Sequence, residues 1–110
     1  MIISFSDKTL KKVANDDRKL VKKYGQRRAD LIKRRLDALR AVDTLEEARH
    51  LPGNFHELTG DRKGQWACNL DHPYRLIFVP HEDPIPTDED GKYIWIEIKG
   101  VDVTEIVDYH

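Results

Sequence analysis

The spacing of apolar residues changes once along this chain, at Leu51-Pro52-Gly53. Before that point apolar residues recur at helical intervals, and after it they alternate. A period near 3.6 belongs to amphipathic helices and a period of two to half-buried strands. A Pro-Gly pair between them is a strong breaker. Helices first and strands afterwards, with short connections, predict an α+β fold in which helices cover one face of an antiparallel sheet. At 110 residues the chain fits a single domain over positions 1–110.

Ile2, Ile3 and Phe5 predict a short first strand. Ser6 reads as the N-cap of a helix that carries Leu10, Val13, Ala14, Leu20, Val21 and Tyr24 inward and stops at Gly25. A second helix runs from Gln26 to Ala41 on the stripe Ala29, Ile32, Leu36 and Leu39, so the two form a helix hairpin. Thr44-Leu45-Glu46-Glu47 has the form of a capping box and predicts a short helical turn. Strands are then expected at Phe55–Leu58, Gln65–Leu70, Tyr74–Val79 and Tyr93–Lys99. In the last of these Ile94, Ile96 and Ile98 are expected inward. Pro80 to Lys92 reads as a long acidic loop, and Val101, Val103, Ile106 and Val107 as a last short strand.

The near-neutral total charge conceals a segregation. Residues 1–40 hold 13 Lys and Arg against 5 Asp and Glu, whereas residues 41–110 hold 6 against 15. A basic half of this kind can lie along a polyanion, or can simply keep solvated helices soluble. The single cysteine, Cys68, cannot form an internal disulfide, which fits a cytoplasmic protein. Its alternation with Trp66 and Leu70 places it in the core. The start Met1-Ile2-Ile3-Ser4-Phe5 is too short and too quickly charged for a signal peptide. No apolar run nears the ~18 residues that span a membrane.

None of the five histidines forms a metal-ligand pair with another His or with Cys at the usual spacing. No metal and no cofactor are therefore expected. The chain also lacks a nucleotide-binding glycine loop. The chemistry-bearing residues that remain are His56, the turn Gly60-Asp61-Arg62-Lys63-Gly64, Arg75, and the terminal Asp108-Tyr109-His110. His56, Tyr109 and His110 can exchange protons, and Arg75 can hold an anion. That set suits attack of an RNA 2′-hydroxyl on its neighbouring phosphate. An ordinary hairpin turn and a frayed tail would account for the same residues.

Three blocks resemble the HigB-like toxins of the RelE superfamily, found in bacterial type II toxin–antitoxin systems. They are His56-Glu57-Leu58-Thr59-Gly60-Asp61-Arg62-Lys63-Gly64-Gln65-Trp66, Tyr74-Arg75-Leu76-Ile77-Phe78 and Val103-Thr104-Glu105-Ile106-Val107-Asp108-Tyr109-His110. The resemblance implies a RelE-like fold, with the N-terminal helix hairpin packed on a twisted antiparallel sheet of four to five strands. It implies a toxin that cleaves mRNA on the ribosome and is restrained by a cognate helix-turn-helix antitoxin, touching DNA only through that partner. The implied catalytic residues are His56, Arg75, Asp108, Tyr109 and His110. Arg62 and Lys63, with Arg27, Arg28, Lys33 and Arg34 on the helices, would contact RNA or the ribosome. Two departures stand out: Thr59 replaces a lysine found in some members, and the acidic loop is long. The alternatives are a non-enzymatic toxin of the same fold that binds DNA gyrase, and a degenerate toxin that serves only as an antitoxin-binding corepressor.

Overall fold

The computed structural model describes residues 1–108. Its elements are β1 (Ile2–Phe5), α1 (Lys8–Ala14), α2 (Asp17–Tyr24), α3 (Gln26–Ala41), β2 (His56–Glu57), β3 (Trp66–Asn69), β4 (Tyr74–Pro80) and β5 (Gly100–Asp108). Short 3-10 turns occupy Glu46–His50, Gly60–Arg62 and Trp95–Glu97. The five strands form one sheet in the order β1-β5-β4-β3-β2. The fold is α+β, as expected, with one refinement. The sheet is mixed, because β1 runs parallel to β5 while every other pair is antiparallel.

The helical half follows its sequence closely, except at one break. The first helix is split, and the reason lies in Asn15-Asp16, two residues whose side chains compete for backbone groups. Asp16 Oδ1 accepts from the backbone N–H of Arg18 at 3.0 Å and of Lys19 at 3.2 Å, and so caps a new helix. At the upstream end the cap is Asp7, not Ser6; its Oδ1 accepts from Leu10 N–H at 2.9 Å. Gly25, at φ +81, then separates α2 from α3. Ala29, Ile32, Leu36 and Leu39 are buried as the stripe requires. The helical turn expected after Thr44 forms, but the capping box does not close: Glu47 Oε2 accepts from Asp43 N–H at 3.4 Å.

The helices pack on one face of the sheet, against Trp66, Cys68, Leu76, Phe78, Val101 and Val103. Trp66 is the centre of an aromatic group, 6.3 Å from Phe78 and 5.4 Å from Trp95, the latter edge-on at 84°. Cys68 is buried here, and burial pushes its thiol up to about 12. It is inert at neutral pH. On β1, Ser4 Oγ donates to Asp102 Oδ1 at 2.7 Å and lies 2.7 Å from His81 Nε2, which ties the edge strand to its neighbours.

The predicted strand Tyr93–Lys99 does not form. Trp95–Glu97 is a 3-10 turn, Trp95 and Ile98 are buried, and Ile96 is 63% exposed. The indole decides the outcome. A straight strand carrying three isoleucines inward would leave Trp95 outward. The turn instead lets it pack on Trp66 and donate from Nε1 to Glu57 Oε2 at 3.1 Å. The last strand, expected to be short, is nine residues long.

Gly53 has φ +109, and a Cβ there would sit 2.4 Å from Arg35 Nε. Gly91 has φ +79 with nothing within 4 Å of an added Cβ. Gly53→Ala should therefore cost about 1–3 kcal/mol through backbone strain and displacement of Arg35. Gly91→Ala should cost less, about 1 kcal/mol. Urea denaturation of the two variants beside the wild type measures that ordering.

Candidate active site

Cross-strand partners in a pleated sheet share a face. His56 pairs with Ala67, Ala67 with Ile77, and Ile77 with Glu105. Two residues along, Asn69 pairs with Arg75 and Arg75 with Val107. These rows lie on the sheet face opposite the helices. Leu58, Ala67 and Ile77, with Val107 packed beside them, form a small apolar floor separate from the main core. His56 and Arg75 stand around this floor on β2 and β4, which flank β3 and so lie about 10 Å apart.

His56 is half-buried, and its Nδ1 is 2.8 Å from the carbonyl oxygen of Asn54. A carbonyl only accepts, so Nδ1 carries the proton. In the neutral ring Nε2 is then a proton acceptor. Asn54 takes φ +53, a left-handed conformation that asparagine tolerates better than most residues.

The basic turn has its expected paired glycines, Gly60 at φ +63 and Gly64 at φ +92. Its two cations differ in use. Arg62 Nη1 donates to Gln65 Oε1 at 2.9 Å and to Glu105 Oε1 at 2.8 Å. The turn is thereby tied to β5, and much of the Arg62 charge is balanced within the fold. Lys63 is exposed, with Nζ 5.5 Å from the centre of the Tyr93 ring.

Asp108 ends β5 opposite Tyr74. Strand alternation puts it on the side of Tyr74, not on that of His56 and Arg75, and it is exposed. Tyr109 and His110 lie outside the described residues. On the helix layer, Arg27 and Arg34 are exposed on the side of α3 that faces away from the sheet. Lys33 reaches Asp17 at 3.5 Å. Arg28 is held inside the fold. Its Nε and Nη2 donate to the two Asp71 oxygens at 2.8 and 3.0 Å, and its guanidinium lies 3.4 Å from the Tyr74 ring centre. The paired guanidinium holds the Asp71 carboxyl below the usual range, and the carboxylate raises Arg28.

The fold therefore brings together His56, Arg75 and Arg62. It directs Arg27 and Arg34 to the opposite side of the molecule. The sequence does not single out Glu105 and Gln65, the partners of Arg62: Glu105 is 43 positions away and only the fold brings it near, and Gln65, three residues along, is an ordinary turn residue by type. Among the described residues no three His, Cys, Asp or Glu side chains are grouped to hold a metal ion, and no helix is long and apolar enough to cross a membrane.

The sequence matches the family model described as the RelE-like toxin of the type II toxin–antitoxin system HigB, over residues 3–87. The chain belongs to the HigB-like toxin family. No curated protein matches it. The matched segment holds His56, the basic turn and Arg75, and it stops before Asp108-Tyr109-His110. As a type II toxin the HigB-like chain has an antitoxin as its partner.

The Asp71 assignment can be tested by pH. Its folded-state pKa is lowered, so its contribution is present above the ordinary carboxylate value of about 3.9 and is lost as pH falls through the folded value. Asp71→Asn should cost about 1 kcal/mol at pH 7. The gap from wild type should close on acidification, as followed by urea midpoints measured at pH 7 and at stepwise lower values.

Proposed function

We propose that this HigB-like toxin is a ribosome-dependent mRNA endoribonuclease that blocks translation, and that the open sheet face is where RNA is cut. One observation carries the reading: His56 and Arg75 share that face around an apolar floor, while the helices cover the other.

The reaction follows from the substrate. A base removes the proton of an RNA 2′-hydroxyl, and the 2′-oxygen bonds to the adjacent phosphorus. The bond from phosphorus to the 5′-oxygen breaks, and an acid delivers a proton to that oxygen. The products are a 2′,3′-cyclic phosphate and a 5′-hydroxyl, and no metal or cofactor enters the sequence. Neutral His56 suits the base, since its Nδ1 proton is committed to Asn54 and Nε2 is left to accept. The Arg75 guanidinium stabilises the charge that grows on the phosphate oxygens. Lys63, exposed beside the turn, binds a flanking phosphate. Arg62, braced by Glu105 and Gln65, adds positive charge beside the RNA and holds the turn in shape.

The family resemblance puts functional weight on the terminal residues, and the division of labour among them is part of this proposal. In that division His110 is the acid that protonates the leaving 5′-oxygen, with Tyr109 and Asp108 as further members of the catalytic set. Arg27, Arg34 and Lys33 on the helix layer meet ribosomal RNA while the opposite face meets mRNA. Arg28 contributes by holding the β3–β4 turn. The protein works in the cytoplasm, where its ribosomal target lies, and its antitoxin is a helix-turn-helix protein.

Removal of a general acid or base costs on the order of 10²–10⁴-fold in rate. His110→Ala should abolish growth inhibition in cells without changing the denaturation midpoint. His56→Gln should slow ribosome-programmed cleavage by about 10²-fold, and Arg75→Ala by about 10²–10³-fold. Full toxicity of a folded His110→Ala variant would overturn the site assignment.

A further inference from the structure

Strand β2 turns His56 to the open face and Glu57 the other way. Beside Glu57 lies a cleft of about 490 Å³, bordered by Arg49, Glu57, Lys63, Asp90, Lys92, Tyr93 and Trp95. The mechanism above uses only Lys63 from this set. Part of the wall, Lys92 to Trp95, lies beyond the segment matched to the family, 3–87.

The floor of this cleft is ordered in advance. Arg49 Nη2 donates to Glu57 Oε1 at 2.9 Å, and Arg49 Nε to Glu46 Oε1 at 3.0 Å. The same guanidinium lies 4.8 Å from the Trp66 ring centre. Trp95 Nε1 donates to Glu57 Oε2 at 3.1 Å. Both charged side chains remain reachable, at 31% exposed for Arg49 and 40% for Glu57. A carboxylate offers about four acceptor positions, and two are used here. Arg49 Nη1 takes no part in these bonds. The floor thus presents a fixed acceptor pair beside a donor.

The walls suit a nucleotide. Tyr93 is half-buried and braced on Trp95 at 5.1 Å, and supplies a ring for stacking. Lys63 and Lys92 are exposed at the border and can take a phosphate. Lys63 belongs to the basic turn as well, so one RNA strand can pass over that turn from the open face into the cleft.

We infer that this cleft binds a guanine nucleotide of single-stranded RNA. Guanine alone of the four bases carries two adjacent N–H donors, N1–H and the 2-amino group, next to an acceptor, O6. The donors match the two Glu57 oxygens, and O6 matches Arg49 Nη1. Adenine and cytosine offer one amino group, and uracil a single imino N–H. The role of the cleft as a base-selecting subsite rests on the ribonuclease reading. Binding of the nucleotide does not.

The test is an ¹⁵N–¹H titration of the purified protein with GMP, AMP, CMP and UMP. The chain has two tryptophans, and the Trp95 indole N–H is hydrogen-bonded to Glu57, so its resonance reports on the cleft. GMP should shift it saturably with a dissociation constant of about 1 mM, and the other three should bind about tenfold more weakly. Tyr93→Leu should weaken all four nucleotides, whereas Glu57→Gln should erase the preference for GMP. Thermal denaturation of both variants, with Lys12→Ala on the exposed side of α1 as a surface control, separates loss of binding from loss of fold. Equal shifts from all four nucleotides, or no saturable shift with GMP up to about 10 mM, would overturn the inference. A wild-type protein that binds GMP but cuts no RNA would instead overturn the ribonuclease reading alone.

Discussion

The pairing of β4 with β5 fixes where every other part of this protein goes. The two strands stay in register from Tyr74↔Asp108 to Ile77↔Glu105 and then shift, so that Phe78 faces Val103. Thr104 is the extra residue of the bulge, and its Oγ1 donates to the Ile77 carbonyl at 3.3 Å. A bulge moves the alternation of one strand by one residue. That shift lets Val101, Val103 and Ile106 all reach the helix side, although the last two are three residues apart. It also leaves Glu105 and Val107 on the open face, next to Ile77 and Arg75. Without it, one end of β5 would turn its apolar residues to the wrong side. The floor of the site, the brace on Arg62 and the burial of the helices all depend on this register.

The charge segregation of the sequence has a structural counterpart that is more selective than a basic half and an acidic half. Three arginines are each held by a carboxylate from another element: Arg28 by Asp71, Arg49 by Glu57 and Arg62 by Glu105. They shape turns and brace clefts. The exposed cations Arg27, Arg34 and Lys63 are differently placed, two behind the helices and one in the turn beside the open face of the sheet. An RNA-binding protein needs both kinds, since a braced arginine keeps geometry while an exposed cation supplies attraction to phosphate.

How much of this was legible in the sequence depended on whether a signal was local. The span of α3, the break at Gly25 and the paired glycines of the basic turn were all readable, because spacing and positive φ are local properties. His56 and Arg75 were picked out by residue type and by family resemblance, and the sheet set them on one face. The strand expected at Tyr93–Lys99 does not form because alternation carries no information on where an indole of that size can be buried. The break at Asn15-Asp16 has a local trace, two capping residues inside a helical run. Arg28 read as an RNA contact only because its partner, Asp71, is 43 positions away. The bulge left one trace, the three-residue step from Val103 to Ile106, which no period-two reading can interpret alone.

The central claim is that the open face of the sheet cuts mRNA held on the ribosome. The direct measurement incubates the purified protein with ribosomes stalled on a defined mRNA, and maps the new RNA ends together with their chemistry. The account predicts cleavage only when ribosomes are present, within the codon at the decoding site, leaving 5′-hydroxyl and 2′,3′-cyclic phosphate ends. Intact mRNA under those conditions, or ends bearing 5′-phosphates, would contradict it.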